Sequence, residues 1–154
     1  MKVAVASRDS QHPLIEQLFT RHGFESVNAD NVDAFIQRPG VALLVFLEEP
    51  ARIKETLDIA VIVPQLVRAF AGAFTVGVLL PAASRALHDR FGVLRYPALA
   101  VVRDGQRIGA VEGLRAWDDY LDELQRILSA SPASAHTGAS IATSTAIADG
   151  PDTP

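Results

Sequence analysis

The chain has 154 residues, of which 49% are hydrophobic, and its 18 acidic and 14 basic residues give a formal net charge of −4. This length and composition are typical of one globular domain rather than a disordered chain. Cysteine is absent, which excludes disulfide bonds, thiolate nucleophiles and cysteine-ligated metal clusters. The acidic balance and the scattered basic residues argue against a nucleic-acid-binding protein.

Membrane-spanning segments are not predicted. The longest clean apolar run covers residues 41–47, whereas a helix that crosses a bilayer needs about 20 apolar residues. The first ten residues, MKVAVASRDS, contain too short an apolar stretch for a signal peptide. The sequence therefore predicts a soluble cytoplasmic protein that does not insert into a membrane.

The first half of the chain alternates between helical and extended patterns. Apolar residues at helical spacing over 14–19 predict a helix that ends at Gly23. A short strand is predicted at 24–27, followed by a short helix at 30–37 that Pro39 and Gly40 close. The run Val-Ala-Leu-Leu-Val-Phe-Leu at 41–47 is typical of a strand that is buried on both faces.

The second half continues the alternation and ends with a hairpin and a helix. After a polar segment, apolar spacing over 59–70 predicts an amphipathic helix with Pro64 inside it. The remaining predicted elements are a strand at 74–80, a helix at 83–91, strands at 98–102 and 107–111 around the turn Asp104-Gly105, and a helix at 117–128. This order predicts an α/β domain with a mixed central sheet and helices on both faces.

From Ala130 onward the composition changes. Residues 130–154 consist mainly of Ala, Ser, Thr, Pro and Gly, with no Lys, Arg or aromatic residue. Such a segment buries too little apolar area to offset the entropy of ordering. We therefore expect one domain at 1–129 and a disordered low-complexity tail at 130–154.

The segment FGVLRYPALAVVRDGQRIGAVEGL, residues 91–114, resembles the pattern of the thioredoxin fold. The resemblance implies that Pro97, preceded by Tyr96, is a cis proline. It also implies that Pro64 is the kinking proline of the active-site helix and that Gly105 and Gly113 occupy the later turns. The corresponding loop of thioredoxins holds Cys-x-x-Cys, but residues 48–59 here contain neither cysteine nor serine. Because dithiol exchange needs a thiolate, oxidoreductase activity of that kind is excluded.

Within this fold, two stretches resemble the hydrogenase expression proteins of the HyaE/HupG type. They are ETLDIAVIVPQLVRAF at 55–70 and DRFGVLRYPALAVV at 89–102 with the later GLRAWDDYL. The resemblance implies a non-catalytic accessory chaperone for maturation of a membrane-bound nickel–iron hydrogenase. Its implied partner is the small-subunit precursor, which carries a twin-arginine signal peptide and is held in the cytoplasm before export. Other hydrogenase maturation proteins are further expected partners.

A peptide-binding groove is expected beside the predicted cis proline. In a thioredoxin fold, the residue before that proline offers its backbone N–H and C=O to an extended chain, as in strand addition. Here that residue is Tyr96, flanked by Arg95 and Pro97. The alternative interpretation is that Tyr96-Pro97 is only a turn that the fold requires.

Four carboxylates surround the former redox loop: Glu48, Glu49, Glu55 and Asp58. We call them the acidic rim and expect it to receive an arginine pair, because charge-assisted Arg–carboxylate contacts are strong. The alternative is a solvated loop, in which Asp58 only serves as the N-cap of the following helix. Glu48 and Glu49 are a poor acid–base pair, because neighbours on an extended segment point in opposite directions.

The last predicted helix carries Trp117 and Tyr120 on its apolar stripe, so both are expected in the core. No cofactor or metal ligand set is expected, since the four histidines show no metal-ligand spacing. Two other functions remain open at this point. One is a structural subunit of another assembly, and the other is an enzyme that uses the carboxylates of residues 48–58, which lacks support from any nucleophile or cofactor motif.

Overall fold

The computed structural model describes residues 12–130. It contains five helices and five strands in the order α1 (Pro13–Thr20), β1 (Glu25–Ser26), α2 (Val32–Ile36), β2 (Val41–Phe46), α3 (Glu55–Ala69), β3 (Phe74–Leu79), α4 (Pro81–Leu87), β4 (Ala98–Arg103), β5 (Gln106–Glu112) and α5 (Trp117–Ser129). Every element predicted from the sequence is present with its predicted type. The tail expected at 130–154 lies outside the described residues apart from Ala130, so its disorder stays a prediction.

The strands form one mixed sheet in the order β1-β3-β2-β4-β5. The first three of these strands are parallel to one another. Strand β4 is antiparallel to β2 and to β5. The turn between β4 and β5 has positive φ angles of 54° at Asp104 and 79° at Gly105, as a type I′ hairpin turn requires. The predicted mixed sheet is therefore confirmed.

The central strand β2 is buried on both faces because two cores lie on opposite sides of the sheet. Leu43 and Val45 belong to one core with α1, α3 and α5. Leu44 and Phe46 belong to the other core with α2 and α4. Successive side chains of a strand point to opposite faces, so an uninterrupted apolar run satisfies both cores. Helices therefore cover both faces of the sheet, as predicted.

The largest differences from the predicted helix boundaries are at the start of α3 and the end of α4. Helix α3 begins at Glu55, four residues before the predicted apolar stripe, because the buried Thr56 hydroxyl donates to the Glu48 carbonyl and fixes the first turn. Helix α4 starts at Pro81 and ends at Leu87. Its predicted end at residue 91 was wrong, since a further turn closed by Gly92, with a φ of 68°, follows the helix.

Candidate functional site

Three loops meet at one end of the sheet, which we call the loop end. Phe46 is paired with Ala98, and Ala98 is paired with Glu112. The loops at 47–54, 93–97 and 113–116 therefore emerge side by side. All predicted site residues lie at this end, including those in the first turn of α3.

The loop before β4 is held in place by the side chain of Glu112. Its Oε1 accepts hydrogen bonds from the backbone N–H groups of Leu94 and Arg95, each at 2.8 Å. The Tyr96–Pro97 peptide bond is cis, which confirms the geometry implied by the resemblance. Pro97 in turn accepts a 2.8 Å hydrogen bond from the Gly113 N–H. The loop is thus tied to β5 and to the residue that follows it.

The backbone of Tyr96 differs from that of its neighbours. Within residues 12–130, neither its N–H nor its C=O takes part in a hydrogen bond, whereas Arg95 N–H and Pro97 C=O on either side do. Backbone polar groups in folded proteins are normally paired with protein or solvent. The described part of the chain thus supplies no partner for the N–H and C=O of Tyr96, which leaves solvent or another molecule to pair them.

Glu48 occupies a different position from the rest of the acidic rim. It is 6% exposed, and its carboxylate forms an ion pair with Arg85 of α4 and accepts from the Glu49 N–H at 2.8 Å. Burial acts to raise its pKa, but the Glu49 hydrogen bond, the bond and charge of Arg85 and the charge of Arg52 outweigh burial and lower the pKa. The carboxylate is therefore ionised and already engaged inside the domain.

The exposed part of the acidic rim lies at the start of α3. Glu55 and Asp58 are exposed and belong to the first turn, while Glu49 is partly exposed. The suggested N-cap role of Asp58 was wrong, because Lys54 occupies the N-cap position and Asp58 lies inside the helix. Both carboxylates also lie near the positive end of the helix dipole, where a negative charge is favourable. They therefore stabilise α3 whether or not a partner binds.

The Tyr96 side chain is half-buried near His88 and Glu48. Its ring lies edge-on to that of His88, with centroids 6.4 Å apart. Burial, followed by the nearby charge of Glu48, raises the pKa of the Tyr96 phenol. The phenol therefore stays protonated at neutral pH and is a poor base or nucleophile.

The comparisons with known proteins identify the family. The family model for the hydrogenase-1 expression protein HyaE matches residues 14–120. The chain belongs to the HyaE family of hydrogenase expression proteins. The family resemblance stated from the sequence is thereby confirmed.

Two relatives of the HyaE-family chain carry hydrogenase names as well. It is 33% identical over 126 residues to the hydrogenase expression/formation protein HoxO of Cupriavidus necator, a match that covers 80% of this chain and 78% of HoxO. It is 37% identical over 120 residues to HupG of Rhodobacter capsulatus, covering 77% of this chain and 87% of HupG. This chain is accordingly a hydrogenase expression/formation protein.

The fold of the HyaE-family chain is thioredoxin-like. A mutant thioredoxin from Halobacterium salinarum superimposes with a TM-score of 0.56 at 21% identity, over 70% of this chain and 93% of the thioredoxin. Since this chain has no cysteine, the fold is retained without the dithiol chemistry of thioredoxins.

The prediction that Trp117 lies in the core was wrong. Trp117 is 40% exposed, whereas Tyr120 is fully buried as expected. The Tyr120 hydroxyl donates to the Gly113 carbonyl and accepts from the Arg115 N–H, both at 3.2 Å. This pair of bonds ties the loop at 113–116 to α5 and leaves Trp117, the first residue of the helix, at the edge of the core.

We searched the described part of the chain for metal-binding groups and for helices able to span a membrane. Among residues 12–130, no three His, Asp or Glu side chains come together as a metal-binding group. None of the helices in the same range is long and apolar enough to span a bilayer. The loop end combines the backbone N–H and C=O of Tyr96 with the exposed carboxylates of Glu55 and Asp58 and the partly exposed Trp117.

Proposed function

We propose that this HyaE-family domain is a cytoplasmic, non-catalytic chaperone that binds the hydrogenase small-subunit precursor, or its twin-arginine signal peptide, before export. Membership of a hydrogenase expression family supports the hydrogenase partner. The observation that supports the binding site is that, within residues 12–130, the Tyr96 backbone N–H and C=O form no hydrogen bond, at the same end of the sheet as the exposed carboxylates of α3.

The proposed contact begins with the backbone. An extended segment of the precursor lies along Tyr96, donates to its carbonyl and accepts from its N–H, as an added strand does. Glu112 holds the preceding residues in place, and Pro97 is bonded to Gly113. The loop is thus ordered before the partner arrives, which lowers the entropic cost of binding.

Charge supplies the second part of the contact. Glu49, Glu55 and Asp58 are the rim residues whose carboxylates form no ion pair with other residues of the described range. They are suited to an arginine pair, because a guanidinium binds a carboxylate through two parallel hydrogen bonds. Glu48 does not bind the partner's arginines in this proposal. Its ion pair with Arg85 instead fixes the acidic rim against α4. Arg95, which is exposed beside Tyr96, is suited to a carbonyl or carboxylate of the bound chain.

A non-catalytic role fits the chemistry of the site. The whole chain has no thiol, the Tyr96 phenol is held in its protonated form, and the Glu48 carboxylate is held ionised by Arg85. Nucleophilic catalysis needs an activated nucleophile with a base in reach. We therefore assign binding alone to the loop end.

The test is a calorimetric titration of the full chain with a synthetic twin-arginine signal peptide of a hydrogenase small subunit. We expect the double variant Glu55→Lys with Asp58→Lys to weaken binding by at least about tenfold at low salt, and by less at high salt, where charges are screened. Glu16→Lys with Asp30→Lys is the matched control, because both residues are exposed, lie outside the loop end and give the same change in net charge.

The control separates a specific rim from a general effect of charge. Equal weakening by both double variants would show that only the net charge matters. A second arm uses a signal peptide whose backbone nitrogens are methylated at alternate positions, which removes the donors needed for strand addition. Unchanged affinity for that peptide would contradict the contact at Tyr96, and lack of binding by the wild-type chain to both peptide and full precursor would refute the function.

A further inference from the structure

Large apolar side chains that remain exposed are concentrated at the loop end. In the part of the chain that the structure describes, four such residues stand out: Val61 at 45%, Leu94 at 84%, Leu114 at 39% and Trp117 at 40% exposure. Leu94, whose N–H donates to Glu112, lies in the loop at 93–97, Leu114 lies in the loop at 113–116, and Trp117 is the first residue of α5. We call these three residues the apolar surface.

Hydrogen bonds fix the backbone that carries the apolar surface. The Leu94 N–H donates to Glu112, and the Tyr120 hydroxyl bonds to Gly113 and Arg115 on either side of Leu114. Leaving a leucine almost fully exposed forgoes about 1.5–3 kcal/mol of possible burial energy. A fixed backbone that presents apolar side chains to solvent is a feature of interaction sites.

The charges around this surface indicate the chemistry of its occupant. Leaving out the internally paired Glu48, residues 48–58, 93–97 and 112–119 contain six carboxylates and four basic side chains. A second copy of the chain would bring the same excess of negative charge, which opposes self-association. An apolar segment bordered by cationic residues matches both the apolar surface and the acidic rim.

From this juxtaposition we infer that Leu94, Leu114 and Trp117 bind the apolar segment of the partner chain whose basic residues lie over Glu49, Glu55 and Asp58. This inference rests on the proposed function and extends it, since it assigns the two chemically different parts of one bound chain to two surfaces of the loop end. Tyr96 lies two residues from Leu94 and close enough to Glu48 for that charge to affect the pKa of the Tyr96 phenol.

Trp117 provides a direct readout because it is the chain's single tryptophan. Titration of the full chain with a tryptophan-free twin-arginine signal peptide is expected to shift the Trp117 emission to shorter wavelength and protect it from iodide quenching. A second peptide, in which the apolar segment is replaced by Ser and Asn while the arginines are kept, is expected to bind more weakly and cause no shift.

The variant Leu94→Asn tests the surface without a cost in folding, because the side chain is 84% exposed. We expect its affinity for the first peptide to fall about tenfold, which corresponds to ~1.4 kcal/mol. The factor is expected to be the same at low and high salt, since apolar contacts are not screened. Val61→Asn is the matched control, since Val61 is exposed on the groove between α1 and α3, and it is expected to leave the affinity unchanged.

The outcomes distinguish this inference from the proposed function. If Leu94→Asn binds as Val61→Asn does, while Glu55→Lys with Asp58→Lys still weakens binding, the apolar surface plays no part and the proposed function stands. If the wild-type chain binds neither peptide nor precursor, both fail. A concentration-dependent shift of Trp117 emission without peptide, with dimers in sedimentation, would assign the surface to self-association and overturn the inference.

Discussion

The ion pair between Glu48 and Arg85 can be perturbed with little change in shape. Replacing Arg85 by Met keeps a long side chain on α4 and removes the guanidinium. Glu48 then retains the hydrogen bond from the Glu49 N–H but loses the Arg85 partner that helps to hold its pKa low. Since burial acts in the opposite direction, the pKa of Glu48 is expected to rise in the variant.

The size of the effect follows from the exposure of the two side chains. The Glu48 side chain is 8% exposed and that of Arg85 is 46% exposed. Breaking a fully buried pair costs about 3–5 kcal/mol, whereas an exposed pair contributes at most about 1 kcal/mol. Because one partner is half in solvent, we expect Arg85→Met to lower the free energy of unfolding by about 1–2 kcal/mol at pH 7.

The pH dependence gives a second check. A carboxylate with a lowered pKa stabilises the fold above its unfolded-state pKa, and that contribution is lost as the pH falls through the folded-state pKa. The difference between wild type and Arg85→Met is therefore expected to be larger at pH 7 than near about pH 3, because it decreases as falling pH protonates Glu48, whose pKa is lowered.

The assay is urea unfolding followed by circular dichroism at both pH values, for the wild type, Arg85→Met, Glu48→Gln and the double variant. Arg126→Met is the control, because its pair with Glu123 has 67% and 32% exposure and should contribute no more than about 0.5 kcal/mol. A loss for Arg85→Met no larger than the control, or an equal loss at both pH values, would refute the reasoning.

Two further substitutions test the packing beside β3 and the anchoring of the loop at 113–116. Gly77→Ala in β3 would place a Cβ 2.5 Å from the Val27 side chain and 2.9 Å from that of Phe35. We expect it to lower the free energy of unfolding in urea by about 1–3 kcal/mol, and we expect Val27→Ala to restore part of that loss. A neutral effect would contradict the tight contact. Tyr120→Phe leaves the Gly113 carbonyl without its bond from the Tyr120 hydroxyl. We therefore expect the free energy of unfolding to fall by about 1–3 kcal/mol and hydrogen exchange at the Arg115 amide to become faster. Unchanged exchange would show that the hydroxyl does not hold the loop.

Local sequence patterns were sufficient to predict the helices and strands and their order along the chain. The alternation of two cores along β2, the Asp104-Gly105 turn and the helical stripe from residue 117 are each encoded within a few neighbouring residues. Helix boundaries were less accurate because they depend on distant partners. The start of α3, for example, depends on the hydrogen bond from Thr56 to the Glu48 carbonyl.

The candidate site was only partly predictable for the same reason. The sequence placed Glu48 beside Glu49, but its carboxylate is engaged by Arg85, which lies 37 residues away along the chain. Trp117 matched the apolar stripe of α5, yet its position at the first residue of the helix leaves it at the edge of the core. The exposure of Leu94 could not be predicted from the sequence, because a single leucine in a loop can lie in the core or in solvent.

The sequence by itself determined the α/β order, the lack of thiol chemistry and the motifs shared with the family, because these depend on residue identity and short-range spacing. Only the tertiary structure decided which carboxylates of residues 12–130 are ion-paired and which apolar side chains in that range face solvent. Both properties are set by strand register and by contacts between elements distant in sequence, which bring residues 48–58, 93–97 and 112–117 to one end of the sheet.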